Sequence, residues 1–209
     1  MGVHTYFKSL SKLERMYRCP GEFQFEQHNV ASHSWKVTQY AQFFGEVEAK
    51  NGATIDWKSL YEKALNHDYP EIFIGDIKTP VKYASPELRE MIAKVEEGMT
   101  ETFVKEEFPE EFQAIYHEKL KEGKDGSTEG MILELADKLD QLYESYAEIQ
   151  RGNTDEVFVN IYRKAIIKIK NIPLYSVEYF LNNILPEMLE EKSNSMVDIK
   201  QITEEALAV

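Results

Sequence analysis

MILELADKLDQLYESYAEI, residues 131–149, decides the fold class. Its apolar residues Met131, Ile132, Leu135, Ala136, Leu139, Leu142, Tyr143, Tyr146 and Ile149 recur at three- and four-residue steps, the spacing that aligns side chains on one face of an α-helix. Asp137 lies inside the run and borders that face. A carboxylate near a core is costly unless a cation compensates it, so Asp137 is either a boundary residue paired with Lys138 or another cation, or a metal ligand.

Outward from this run the same period persists. Downstream, Arg151-Gly152-Asn153-Thr154 ends the helix, and Val157, Phe158, Ile161, Tyr162, Ala165, Ile166 and Ile169 mark another. Leu174, Val177, Phe180, Leu181, Ile184 and Leu185 mark a third, which Pro186 kinks. Upstream, residues 123–130 are a polar, glycine-rich break, preceded by a short helix around Phe112, Ile115, Tyr116 and Leu120. Ser85-Pro86-Glu87 is a helix start signal leading into Leu88, Met91, Ile92, Val95, Met99 and Phe103. Residues 74–84 read as a loop. Phe7, Leu10, Leu13 and Tyr17 line a first helix, and Val30, Val37, Tyr40, Ala41 and Phe44 line a second that Gly45 loosens. No strand, repeat or low-complexity block interrupts the pattern. The expected fold is all-α, a single helical bundle with C-terminal helices over residues 1–190, followed at 191–209 by a polar tail or short docking helix.

With 209 residues, 43% of them hydrophobic and 12% aromatic, the chain can bury a core, which excludes a disordered protein. A net charge of −13 disfavours polymeric nucleic acid as a partner. The single Cys19 cannot form an intrachain disulfide, and no window approaches the roughly 20 apolar residues that span a bilayer. A cytoplasmic protein without a membrane partner is expected.

His67-Asp68 places an imidazole beside a carboxylate, and both can bind one divalent ion. His33 lies 34 residues before His67 and Asp137 lies 69 residues after Asp68, spacings too long for a local loop site. Taken alone, His33 also fits a core histidine satisfied by a backbone carbonyl. Pro70 should stop or kink the helix that carries the pair, so that Glu71 opens a new turn.

Read together, Asn29-Val30-Ala31-Ser32-His33-Ser34, His67-Asp68-Tyr69-Pro70-Glu71, Gly75-Asp76-Ile77-Lys78-Thr79-Pro80-Val81-Lys82-Tyr83 and Ala136-Asp137-Lys138 resemble the HD-domain phosphohydrolases, within them the bacterial YfbR-like 5′-deoxynucleotidases. The similarity runs in order from about residue 6 to about residue 165. It implies an HD-domain helical fold in which His33, His67, Asp68 and Asp137 bind one divalent transition metal, Mn²⁺, Co²⁺, Fe²⁺ or Zn²⁺ by ligand type. Such an ion lowers the pKa of its water from about 16 toward roughly 7 and neutralises a phosphoryl oxygen.

The resemblance further implies that Glu71 orients or deprotonates the nucleophile and that Asp76 is a second catalytic carboxylate near the substrate. It implies that Arg18 binds the substrate phosphate, a task suited to the guanidinium fork. Cys19, Lys78, Thr79 and Lys82 complete the expected substrate contacts, with Lys78 and Lys82 read equally well as a solvated loop. Three positions depart from the family pattern: Cys19 stands where well-known members have tryptophan, Ser32 where glutamate is usual, and Pro70 where a small residue is usual. Trp35 is expected to pack, and Tyr143 and Tyr146 to lie in the core or at a subunit contact.

The resulting expectation is a homodimeric enzyme whose metal-held hydroxide removes the 5′-phosphate from (deoxy)ribonucleoside monophosphates. A (deoxy)nucleoside triphosphate triphosphohydrolase and a non-catalytic nucleotide-binding HD scaffold are the alternatives.

Overall fold

The computed structural model describes residues 2–75, 77, 81, 84–121, 123–193 and 195–209. Among them the regular elements are helical: α1 (His4–Leu13), α2 (Val30–Lys50), α3 (Trp57–Asn66), α4 (Glu71–Ile74), α5 (Pro86–Glu107), α6 (Glu110–Lys119), α7 (Thr128–Gln150) and α8 (Glu156–Lys170). They continue as α9 (Tyr175–Tyr179), a π-helical turn (Phe180–Ile184), α10 (Leu185–Glu190) and α11 (Ile199–Ala208). One isolated antiparallel bridge pairs Tyr17 with Asn29. The all-α expectation holds. No helix among the described residues is long and apolar enough to cross a membrane.

The chain forms two compact units, each drawn from separated stretches. The first comprises Met1–Glu22, Gln27–Trp35 and Glu62–Gly123; the second comprises Phe23–Glu26, Lys36–Tyr61 and Lys124–Val209.

In the first unit the core gathers Leu13, Val30, Tyr69, Val104, Phe108 and Leu120, with Tyr6, Phe73, Phe103 and Tyr116 packed against it. Tyr69 is the anchor that matters for the site, because it directly follows His67-Asp68. It is buried, and its hydroxyl lies 2.6 Å from Ser9 Oγ on α1. Its ring centroid is 5.6 Å from that of Tyr6 and 6.0 Å from that of Phe103. Burial pushes the Tyr69 hydroxyl pKa well up, so it stays neutral, and with Ser9 Oγ donating to the Tyr6 carbonyl it can donate to Ser9.

Helix α5 starts where the sequence places it, with Ser85 Oγ accepting the Leu88 N–H at 3.2 Å and Pro86 in the first turn. Its apolar stripe is nevertheless largely uncovered. Met91, Val95 and Met99 are exposed, whereas the buried positions are Thr100 and Val104. Val95 and Met99 line an open groove of about 520 Å³ with Phe73 and Phe103. Phe7 and Leu10 on α1 and Phe112 and Ile115 on α6 are likewise exposed. Trp35, expected to pack, is 63% exposed. Periodicity identifies an apolar face; it carries no information about what covers that face.

In the second unit α7 supplies the core, with Ile132, Leu133, Leu135, Ala136, Leu139, Leu142 and Ile149 at most 1% exposed. Its N-cap is Ser127, whose Oγ accepts the Gly130 N–H. Helix α8 packs beside it through Phe158, Tyr162, Ala165, Ile166 and Ile169. Gly45 does not loosen α2. A Cβ there would lie 2.9 Å from Leu60 Cδ2 and from the Trp57 ring, so the glycine permits a close approach. Before Pro186, which has no N–H to donate, the helix widens into the π turn at Phe180–Ile184. Within the 191–209 segment, α11 docks on α8: Ile199, Ile202, Thr203 and Ala206 are buried, and Thr203 Oγ1 lies 2.7 Å from the Tyr162 hydroxyl.

Candidate metal centre

Two short backbone pairings set up the first half of the site. Arg18 N–H donates to the His28 carbonyl at 2.8 Å and Val30 N–H to the Met16 carbonyl at 2.9 Å, so residues 16–18 run alongside the start of α2. Asn29 Oδ1 then accepts the Ser32 N–H at 2.8 Å, closing the first turn that carries His33. Cys19 follows Arg18 with φ at 51°, in the left-handed region, and its carbonyl accepts the Glu22 N–H. Pro20 disfavours the right-handed helical region for the residue before it, and the chain turns away at Cys19.

The second half comes from the end of α3. The helix stops at Asn66, and His67-Asp68-Tyr69-Pro70 form a turn closed by Tyr69 N–H to the Asn66 carbonyl. The pair therefore lies just past the helix rather than in its last turn. Glu71 opens α4, with its N–H on the Asp68 carbonyl at 3.1 Å.

His33 Nε2 and His67 Nε2 are 3.1 Å apart, and Asp68 Oδ2 lies 3.1 Å from the first and 3.3 Å from the second. Both imidazoles are buried, while the Asp68 side chain retains 16% exposure. His67 Nδ1–H donates to the Ala64 carbonyl at 2.9 Å, which turns Nε2 toward the cluster. Three donor atoms converging in this way suit a single divalent cation, and these residues could hold one.

Burial alone would raise the Asp68 carboxyl pKa. The His67 charge and the hydrogen bonds of His33 and His67 outweigh it and hold the carboxyl well below its ordinary range. Arg18 Nη1 adds a further positive charge 3.7 Å from Asp68 Oδ2.

Of the residues expected at the site, His33, His67, Asp68 and Arg18 come together in the first unit, with half-buried Glu71 three residues past Asp68. Asp76, Lys78, Thr79 and Lys82 lie outside the described residues. Asp137 belongs to the second unit, where it is buried on α7 and its Oδ2 accepts from Lys124 Nζ at 2.8 Å and Lys138 Nζ at 3.0 Å.

Sequence reading did not single out two carboxylate clusters of the second unit. Lys36 Nζ lies 2.8 Å from buried Asp140 and 3.0 Å from Glu144. Burial opposes the Lys36 charge, but Glu144 and Asp140 outweigh it and raise its pKa. Glu148, also buried, accepts the N–H groups of Phe25 and Glu26 at 2.9 and 3.0 Å and the Asn153 side-chain amide at 2.9 Å. The only sequence signal was that Asp140, Glu144 and Glu148 follow Asp137 on the same helix.

This helical scaffold is that of an HD-domain phosphohydrolase. The crystal structure of an HD-domain phosphohydrolase from Listeria innocua matches it with a TM-score of 0.94 and 56% identity, covering 100% of this chain and 99% of that one. Within the class, the model of the YfbR-like 5′-deoxynucleotidases matches residues 5–188. The chain belongs to that family and is a metal-dependent nucleotide phosphohydrolase.

A 5′-deoxynucleotidase of Vibrio parahaemolyticus is 26% identical over 182 residues, 87% of this chain and 92% of that protein. The fold is shared more distantly by the cyanophage S-2L HD phosphohydrolase, solved with dA and one catalytic Zn²⁺ ion. Its TM-score is 0.59 at 17% identity, over 97% of this chain and 96% of that one.

Proposed function

We propose that the protein removes the 5′-phosphate from deoxyribonucleoside monophosphates, using one divalent transition metal held by His33, His67, Asp68 and Asp137. The observation that carries this reading is the convergence of His33 Nε2, His67 Nε2 and Asp68 Oδ2 within 3.3 Å of one another. Asp137 is supported as the fourth ligand by its place in the ordered family motifs and by its burial. When bound, the ion supplies Lewis acidity, activating water near neutral pH and neutralising charge on a phosphoryl oxygen.

The chain's own residues do the rest. Arg18, beside Asp68, binds two phosphate oxygens through its guanidinium fork and stabilises the charge that develops there. Glu71 orients the attacking water and takes its proton, and Asp76 protonates the leaving 5′-oxygen. Lys78, Thr79 and Lys82 add substrate contacts, and Cys19 leaves a smaller side chain beside the sugar than the family's tryptophan would. The family resemblance further supports a homodimer, and the lone thiol of Cys19 suits the cytoplasm. Light scattering on the purified protein reads the oligomeric state.

The activity is tested by incubating metal-stripped protein with Mn²⁺, Co²⁺ or Zn²⁺ and deoxy- and ribonucleoside mono- and triphosphates. Inorganic phosphate from dAMP, dGMP or dTMP is the expected product. Triphosphate release from the nucleoside triphosphates, or no product at all from metal-loaded protein, overturns the reading.

A further inference from the structure

Asp137 is 3% exposed, and several donors hold its carboxylate. Lys124 Nζ and Lys138 Nζ both reach Oδ2, at 2.8 and 3.0 Å, while Gln141 Nε2 lies 3.2 Å from Oδ1 and 3.4 Å from Oδ2. Lys138 and Gln141 are delivered by α7 itself, one and four residues further on. Lys124 is not, because it precedes the helix.

A clasp in the chain before α7 places it. Ser127 Oγ donates to the Asp125 carboxylate, the Ser127 N–H reaches the same Asp125 oxygen at 3.0 Å, and Ser127 Oγ accepts the Gly130 N–H at 3.0 Å. Asp125 is thereby folded back onto the first turn of α7. It lies so close that a Cβ on residue 130 would fall 2.6 Å from both the backbone N and the backbone O of Asp125. Glycine at this position leaves the room that the clasp needs.

We infer that Lys124 is a positioning residue for the metal centre, carried to Asp137 by the Asp125–Ser127–Gly130 clasp and acting through that carboxylate. Its ammonium holds Oδ2 and so fixes the orientation in which Asp137 meets the ion. This rests on the reading of Asp137 as the fourth ligand. Groups that hydrogen-bond a ligating carboxylate fix its rotamer in advance, and losing one typically weakens metal binding about 10–100-fold.

The experiment is calorimetric titration of metal-stripped protein with Mn²⁺, alongside the melting temperature of the metal-free form. Lys124→Met is expected to weaken Mn²⁺ binding about 10–100-fold, and Lys124→Arg, which can donate to the same oxygen, to recover most of the loss. Gly130→Ala changes no group at Asp137, yet it should weaken binding in the same direction by displacing Asp125 and Lys124 with it. Lys121→Met, which removes a surface lysine paired with Glu118, should leave the affinity unchanged.

Wild-type Mn²⁺ affinity in Lys124→Met overturns the inference, even if its melting temperature falls. Equal losses in the Met and Arg variants also overturn it. Should Gly130→Ala fail to fold, the two Lys124 variants decide alone. If Asp137→Asn binds Mn²⁺ as tightly as the wild type, the fourth-ligand reading fails instead, whatever the lysine variants do.

Discussion

Asp68 shows how a residue is tuned before any ion arrives. With two imidazole nitrogens within 3.3 Å and Arg18 at 3.7 Å, its carboxylate is held charged in a largely buried position. Asp68→Asn keeps the shape and removes the charge, so it should weaken Mn²⁺ binding by about 100-fold or more, read by calorimetry. The same group gives a pH signature in the metal-free protein. Its folded pKa lies below the ordinary 3.8, so its contribution to stability is fully present above that value and is lost as the pH falls through the folded pKa. Urea midpoints measured below about pH 4 in a chelator should therefore fall more steeply for the wild type than for Asp68→Asn. An identical acid limb in the two proteins would refute the assignment.

At this scale much was legible. His67-Asp68 stood out because few side-chain types bind metals, whereas His33 gained its reading only beside the other motifs and Arg18 only through the resemblance to the family. Lys124, Lys36 and Glu148 could not. Their partners lie 13, 104 and 123 residues away, and a polar contact across such a gap leaves no periodic trace.

Among the elements, α7 was the most legible because most of its apolar positions are buried. Helix α5 was legible in its start and misleading in its burial, since Met91, Val95 and Met99 face outward. The element that sequence left undecided, α11, is held on α8 by buried apolar residues and a buried hydroxyl pair. Burial pushes the Tyr162 pKa up to about 12 despite its hydrogen bond to Thr203. Between about pH 10 and pH 12 the unfolded tyrosine has lost its proton while the folded one keeps it, so stability falls as pH rises. Tyr162→Phe should flatten that alkaline loss by about one proton, worth up to about 2–3 kcal/mol. Chemical denaturation across this range measures it; unchanged slopes would count against the buried pair.

Glu148 does comparable work for the 23–26 segment. Two backbone N–H groups and the Asn153 amide converge on a carboxylate that is 1% exposed. Removing a charged acceptor leaves buried donors unsatisfied, so Glu148→Ala should cost about 2–4 kcal/mol. The urea midpoint should fall accordingly, and Glu148→Gln, which retains one acceptor oxygen, should lose less. A shift within about 0.5 kcal/mol, ordinary for a surface site, would show that water replaces the carboxylate.

For the molecule as a whole, the ion is a ligand that binds the folded chain and scarcely the unfolded one, so its affinity adds to stability by mass action. At a free concentration of about 100 times Kd the gain is about 2.7 kcal/mol. A chain of 150–250 residues shifts by about 2–4 °C per kcal/mol, so chelation should lower the melting temperature by about 5–11 °C and added Mn²⁺ should restore it. The net charge of −13 favours uptake of a cation in general, so a rise in stability alone would not identify the site. The variants make that distinction. Asp68→Asn and Asp137→Asn each reduce the net negative charge by only one unit, leaving general cation attraction almost intact. If the proposed ligands hold the ion, both variants should melt at nearly the same temperature with and without Mn²⁺. A full metal-dependent rise in either would mean that the stabilising ion binds elsewhere on the acidic surface.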